Sequence, residues 1–202
     1  MKIFCIGKNY ADHAKEMNSE VPSKPMVFMK PSTALLTDNK AFYHPDFSSN
    51  IHYEVEVVIK IKKHGRHIDP KFALDYFEEI GLGIDFTARD IQAECKKSGH
   101  PWEIAKAFDN SAVIGKFVSV EGRDLKALDF HLTKNGEIVQ KGNTKDLIYD
   151  FATVINYISG IFTIKINDLI MTGTPAGVGP VAIGDRLEGF LGGEKMFECE
   201  VK

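Results

Sequence analysis

The chain has 202 residues and a mass of 22.6 kDa, a size at which roughly 70% of the unfolded surface is buried on folding without a disulfide or metal staple. With 44% hydrophobic and 26% charged residues, its composition is that of an ordinary soluble globular protein and excludes collagen-like, disordered and disulfide-framework classes. Its 25 basic and 28 acidic residues give a formal charge of −3, which exerts no general pull on a phosphate backbone and disfavours nucleic acid as a partner.

Cys5, Cys95 and Cys199 lie far apart with no CxxC spacing, which leaves zinc-finger and redox motifs unsupported and fits a reducing, cytoplasmic location. The apolar run Ile3–Ile6 is too short for a signal peptide. The uncharged stretch Phe151 to Ile164 falls short of the roughly 18 apolar residues of a membrane span.

In chain order, Ile3 to Ile6 reads as a strand. Asn9, with Asp12 three residues on, reads as the cap of a helix from Tyr10 to Met17. Asn18 to Pro25 holds two prolines and two serines and is expected to be a loop. Met26 to Lys30 reads as a strand ended by Pro31. Ile51 to Lys62 alternates apolar and polar residues and predicts one long strand. Phe72 to Glu79 reads as a helix and Ile80 to Phe86 as a buried strand. Thr87 and Asp90 form a capping box for a helix through about Lys97, closed by Gly99. Asn135-Gly136 is a hairpin signal. Leu147 to Ser159 is a helix candidate, and Asp168–Met171, Arg186–Leu191 and Met196–Val201 read as strands. The sum is a single, strand-dominated α+β domain over residues 1–202, with a short helical segment at about residues 9–25.

Several groups along this path carry chemistry. Glu54 and Glu56 sit two apart on a strand, so both carboxylates leave one face. Like charges that close resist joint ionisation unless a cation stands between them, and oxygen-only ligands suit Mg²⁺, Mn²⁺ or Ca²⁺. The alternative is the wet face of an amphipathic strand. Asp85 ends a buried apolar strand, where a carboxylate needs a partner, a metal or a capping role. His13 and Glu16 are helix neighbours, and a carboxylate beside an imidazole fixes its tautomer and suits a general base. The alternative is an ordinary exposed pair. Lys106, among Ala105, Ala107 and Phe108, either snorkels to water or is held against an anion. Thr172-Gly173-Thr174-Pro175-Ala176-Gly177-Val178-Gly179 lacks the Gly-Lys-Ser/Thr ending of a P-loop. It is either a tight turn or a nest of backbone N–H groups for a carboxylate.

The order of these groups resembles the fumarylacetoacetate hydrolase family. The matching stretches are Gly7-Lys8-Asn9-Tyr10-Ala11-Asp12-His13-Ala14-Lys15-Glu16, Tyr53-Glu54-Val55-Glu56 and Asp85-Phe86-Thr87-Ala88-Arg89-Asp90-Ile91-Gln92. They continue with Ala105-Lys106-Ala107-Phe108-Asp109, Asn135-Gly136 and the loop Thr172–Gly179. The similarity is greatest to short members that act as acylpyruvate hydrolases and oxaloacetate decarboxylases. It implies a mixed β-roll, a homodimer and a lid that includes the Asn18–Pro25 loop. It implies Glu54, Glu56 and Asp85 as metal ligands, with Mg²⁺ favoured and Mn²⁺ or Ca²⁺ as alternatives. His13 and Glu16 match the water-activating dyad, Lys106 the active-site lysine, and Arg89, Gln92 and Thr174 the substrate contacts. Two departures stand out. Lys8 replaces an arginine and lacks its planar fork, and Phe4-Cys5-Ile6-Gly7 offers no further acidic ligand.

The implied chemistry is cleavage of a C–C bond in a small 2-oxo acid, with Lewis-acid stabilisation of the resulting enolate. Acylpyruvate hydrolysis needs water activated by His13, whereas decarboxylation of oxaloacetate yields the same enolate without it. The rivals are an isomerase or decarboxylase of unsaturated 2-oxo diacids and a non-catalytic, metal-bound β module.

Overall fold

The computed structural model describes residues 1–17 and 19–202. Among these, the backbone forms three sheets and a few short helices. The largest sheet has seven strands, in the spatial order Met26–Lys30, Ile3–Gly7, Leu169–Met171, Val55–Ile61, Phe77–Asp85, Ala112–Ser119 and Leu35–Leu36. Two of its pairings are parallel, Ile3–Gly7 with Leu169–Met171 and Leu35–Leu36 with Ala112–Ser119, and the rest are antiparallel. A four-stranded antiparallel sheet orders Glu137–Asn143, Asp129–Lys134, Arg186–Leu191 and Glu194–Glu200. A small third sheet joins Gly179–Pro180, Ile51–Tyr53 and Thr87–Ala88. The result is a strand-dominated α+β fold with a curled mixed sheet, as the sequence implied.

Both faces of the central sheet are covered. Val55, Val57 and Ile59 pack with Phe130 and Leu132 of the four-stranded sheet and with Val154 and Ile158 of the helix Phe151–Ile161. On the other face Val58 packs with Ile3, Cys5, Ile114 and Met171. A strand buried on both faces is apolar on both, so the polar-looking face read from Ile51–Lys62 is not a solvent face.

Local expectations fail where a distant partner intervenes. The stretch Ile51–Lys62 is two strands, because the chain leaves one sheet for another at Glu54. The segment read as a helix over Phe72–Glu79 is a turn of helix at Pro70–Ala73, a 3₁₀ turn at Leu74–Tyr76 and then the strand Phe77–Asp85. Pairing with Val55–Ile61 overrides local propensity there. Thr87 and Asp90 do not cap the helix Arg89–Ser98. The Thr87 hydroxyl is bound by Lys106 and Asp90 accepts from Ser48. Gly99 does close that helix, at φ 68°. The last long helix begins at Phe151, where Asp150 caps Thr153.

Asn9 is likewise no cap for the helix Ala11–Glu16. Fully buried, it donates to the carbonyls of Tyr149 and Thr172 at 2.9 and 2.8 Å and accepts from the Tyr149 N–H at 2.8 Å. This staple fixes the helix against the glycine-rich loop. In that loop Gly173 has φ 106°, and a Cβ there would lie 2.6 Å from the Asn9 Cβ. Gly173→Ala is therefore expected to destabilise the fold by about 2 kcal/mol, from left-handed strain and the clash together. Thermal unfolding measures this, and an unchanged melting temperature would show that the staple yields freely.

Candidate active site

The change of sheet at Glu54 has a counterpart on the neighbouring strand, where Phe77–Asp85 ends and Thr87–Ala88 begins in the small sheet. The Asp85 N–H donates to the Glu54 carbonyl at 2.8 Å. Glu54 and Asp85 thus lie side by side where two adjacent chains switch sheets. Glu56 follows two residues on. Each of the three offers an oxygen within 4.8 Å of the others, and all are buried, Glu56 at 2% exposure and Asp85 at 0%. The wet-face reading of Glu54 and Glu56 is thereby overturned.

Three clustered carboxylates out of water are costly unless compensated. Lys106 compensates two of them. Its ammonium donates to Glu54 Oε2 at 2.7 Å, Asp85 Oδ2 at 2.6 Å and the Thr87 hydroxyl at 2.6 Å, which uses all three of its protons. The snorkelling alternative fails, since Lys106 is only 3% exposed. Arg89 pairs with Glu54 Oε1 and donates to Gln92 Oε1 at 2.8 Å. Burial raises the Glu54 pKa, but Lys106 and Arg89 outweigh it and hold the carboxyl below its usual range. Glu56 is compensated least, with the Gly173 N–H donating to its Oε2 at 2.7 Å. Burial, then Asp85 and Glu54, push its pKa well above the usual value.

Lys30 was not singled out in the sequence. It ends the strand Met26–Lys30 and is buried, with its ammonium 2.8 Å from Asp85 Oδ1. Its protons are committed to Ser111 Oγ, the Phe86 carbonyl and the Lys106 carbonyl. Among the described residues, Asp85 Oδ1 is consequently a buried acceptor that makes no hydrogen bond. A carboxylate oxygen that accepts no hydrogen bond, beside two further carboxylates, is a donor set that fits a hard divalent cation.

The other expected residues converge on the same cavity, which is lined by His13, Glu54, Glu56, Asp85, Arg89, Gln92, Lys106 and Thr174. His13 is buried rather than exposed, and its Nδ1 lies 3.2 Å from Glu16 Oε2. The Gly177 N–H anchors Glu16 Oε1 at 3.0 Å. Thr174 Oγ1 accepts from Gln140 Nε2 at 2.8 Å. Gln140 carries no local signal in the sequence. Buried, it accepts from the Val55 N–H at 2.9 Å and so ties the glycine-rich loop to the strand break. Arg89 Nε is a buried donor without a partner among the described residues. Of the expected lid, Asn18 lies outside the described residues, Met17 lines the cavity, and the Pro22 carbonyl accepts from the Tyr149 hydroxyl at 2.5 Å. Burial, then Asp85, push the Cys5 thiol up, which makes it a poor nucleophile.

A family model described as fumarylacetoacetate (FAA) hydrolase C-terminal matches residues 2–201. Among similar proteins, an oxaloacetate tautomerase, FAHD1, mitochondrial, of Mus musculus is 43% identical over 99% of this chain and 91% of its own. A mitochondrial oxaloacetate decarboxylase of Dictyostelium discoideum is 44% identical over 93% of this chain and 87% of its own. The crystal structure of fumarylpyruvate hydrolase from Pseudomonas aeruginosa in complex with Mn²⁺ and pyruvate superimposes with a TM-score of 0.94. It shares 34% identity and is matched over 100% of this chain and 89% of that one.

The raised pKa of Glu56 gives a signed prediction. A carboxyl whose folded pKa exceeds its ordinary value of 4.5 stabilises the fold fully below that value, and this contribution is lost as pH rises through the raised pKa. Glu54, shifted downward, loses its own contribution only in acid. Chelator-treated protein is therefore expected to melt at lower temperature as pH rises from about 5 to about 8, and Mn²⁺ to reverse the trend because bound carboxylates must be deprotonated. Thermal unfolding across pH with and without Mn²⁺ tests this, and parallel curves would refute it.

Proposed function

Because this chain belongs to the fumarylacetoacetate hydrolase family, we propose that it is a divalent-metal-dependent enzyme that cleaves a C–C bond in small 2-oxo acids, by acylpyruvate hydrolysis, oxaloacetate decarboxylation or both. The observation that carries this is the buried cluster of Glu54, Glu56 and Asp85, with the unbonded Asp85 Oδ1, in one cavity with His13 and Lys106. We assign Glu54, Glu56 and Asp85 as ligands of Mg²⁺, with Mn²⁺ or Ca²⁺ able to stand in. When bound, such a cation supplies Lewis-acid stabilisation of the negative charge that develops on a 2-oxo acid.

The protein's own groups do the rest. With Nδ1–H donated to Glu16, His13 keeps Nε2 unprotonated and able to take a proton from water. Glu16, held by the Gly177 N–H, orients the ring. Lys106 places a fixed positive charge where the enolate forms, and the unpartnered Nε–H of Arg89 is a donor for a substrate oxygen. Gln92 sets the Arg89 fork. Thr174, whose oxygen already accepts from Gln140, keeps its hydroxyl proton for the substrate. The segment 19–25, tied at Pro22 to Tyr149, forms part of a lid with Met17.

A second reading is keto–enol exchange of oxaloacetate, favoured by the name of the Mus musculus relative. It uses the same enolate and needs no nucleophilic water. We further propose a homodimer, supported by the exposed apolar side chains of Met29 and Ile104 beside Met1. No helix among the described residues is long and apolar enough to cross a membrane. The three cysteines are buried and unbridged, which supports a reducing compartment. We take this to be the cytoplasm, although both named relatives are called mitochondrial.

The test is turnover of acetylpyruvate, fumarylpyruvate and oxaloacetate with Mg²⁺ or Mn²⁺, following pyruvate release and enol absorbance. Pyruvate release that a chelator abolishes is expected, and no turnover of any of the three would overturn the proposal. His13→Ala should slow acylpyruvate hydrolysis by about 10²–10⁴-fold while sparing decarboxylation, since only hydrolysis consumes activated water. Lys106→Met should slow both by roughly 10²-fold, measured beside thermal unfolding. Equal loss of both activities in His13→Ala would assign that residue a structural role.

A further inference from the structure

Beside the acid cluster, two buried polar atoms lack a hydrogen-bond partner among the described residues, and they are complementary. One is Nε of Arg89, a donor. The other is Nδ1 of His52, a half-buried residue on the strand Ile51–Tyr53. Asn50 makes that nitrogen an acceptor. The Asn50 amide oxygen lies 2.9 Å from His52 Nε2, and an amide oxygen only accepts. Nε2 therefore carries the ring proton, and Nδ1 keeps a free lone pair. The Asn50 carbonyl also accepts the backbone N–H of Arg89 at 2.8 Å, so one residue orients both partners.

Strand register puts the two side chains on one face. In the small antiparallel sheet Ile51 pairs with Ala88 and His52 with Thr87, and the bond from the Arg89 N–H to Asn50 continues that ladder. Ile51 and Ala88 belong to the hydrophobic core. By the period of two, His52, Thr87 and Arg89 leave on the opposite side. The Thr87 hydroxyl, which accepts from Lys106 at 2.6 Å, marks that side as the one facing the acid cluster. Arg89 is two residues past Thr87 and so diagonal to His52, a separation that ring and long side chains bridge. After burial, the Arg89 charge is the largest influence lowering the His52 pKa, in agreement with this placement. The terminal nitrogens of Arg89 are committed elsewhere, Nη2 to Glu54 and Nη1 to Gln92. Glu54 is a carboxylate that the reading above gives to a cation, and a buried guanidinium that loses part of that partner needs another acceptor. Resting on that reading, we infer that His52 is a positioning residue for Arg89: its Nδ1 receives the Nε–H when Glu54 is engaged by a cation, and keeps the guanidinium aimed into the cavity until a substrate oxygen takes that proton. His52 acts through Arg89 and touches neither the cation nor the substrate.

The test is calorimetric titration of the Mn²⁺-loaded protein with pyruvate, a stable 2-oxo acid, beside thermal unfolding of each variant. His52→Leu is expected to weaken pyruvate binding by about 10-fold, the scale of one lost charge-assisted hydrogen bond. In His52→Asn the amide oxygen falls near the place of Nδ1, and affinity should return to within about threefold of wild type. In His52→Gln the amide reaches the place of Nε2 instead, which keeps the Asn50 contact but not the one to Arg89, and affinity should stay low. In an Arg89→Lys background, which has no donor at the place of Nε, His52→Leu should cost nothing further. A folded His52→Leu protein with wild-type affinity, restoration by His52→Gln, or a full additional loss in the Arg89→Lys background would overturn the inference and assign His52 to the packing of the Asn50 turn. Should His52→Leu not fold, the contrast between His52→Asn and His52→Gln decides alone. Failure of the wild type to bind pyruvate would instead sink the reading of the site itself, and the inference with it.

Discussion

Three carboxylates held within 4.8 Å of one another and out of water are the constraint on which the rest of this structure depends. Such a cluster repels itself and loses hydration at the same time. The surrounding chain is organised to offset this. Lys106 spans two of the acids, Arg89 takes the outer edge of Glu54, Lys30 stands behind Asp85, and a backbone N–H reaches Glu56. The compensation is incomplete at Glu56 and at one oxygen of Asp85. Incomplete compensation leaves the cluster short of a closed salt-bridge network, with oxygens of the kind a hard divalent cation takes.

Holding these groups in register requires ties between segments far apart in sequence. Asn9 joins the first helix to the Thr172 loop, Gln140 joins that loop to the strand break at Val55, and the loop's own N–H groups reach Glu56 and Glu16. The glycine-rich segment therefore acts as a bracket between the acid cluster and the His13–Glu16 pair. Its glycines are required by close approach, as at Gly173 against Asn9, and not by phosphate binding.

Of the cations of the cavity, those paired with the acids, Lys106 and Arg89, hold the Glu54 carboxyl ionised. Trp102 and Phe28 lie 5.5 and 5.1 Å by ring centroid from the ammonium groups of Lys96 and Lys106.

By itself the sequence determined the alternation of the central strand, the Asn135-Gly136 hairpin at φ 55° and 87°, the Gly99 helix stop and the spacing that puts Glu54 and Glu56 on one face. These are local properties, fixed by a side-chain period or by the φ a turn demands. The order of motifs along the chain carried the family, and with it the convergence of His13, Asp85, Arg89 and Lys106. Only the tertiary structure decided that the acid pair is buried, that the long strand breaks at Glu54 to change sheets, and that Phe77–Glu79 extends into a strand. It alone placed Lys30 beside Asp85 and Ser111, and Asn9 against Thr172. A lysine at the end of an apolar strand gives the same signal as Asp85 does, but its partner lies 55 or more residues away in sequence. No local pattern encodes such a pairing. It arises because a buried charge must find an opposite one, and only the folded chain determines which is within reach.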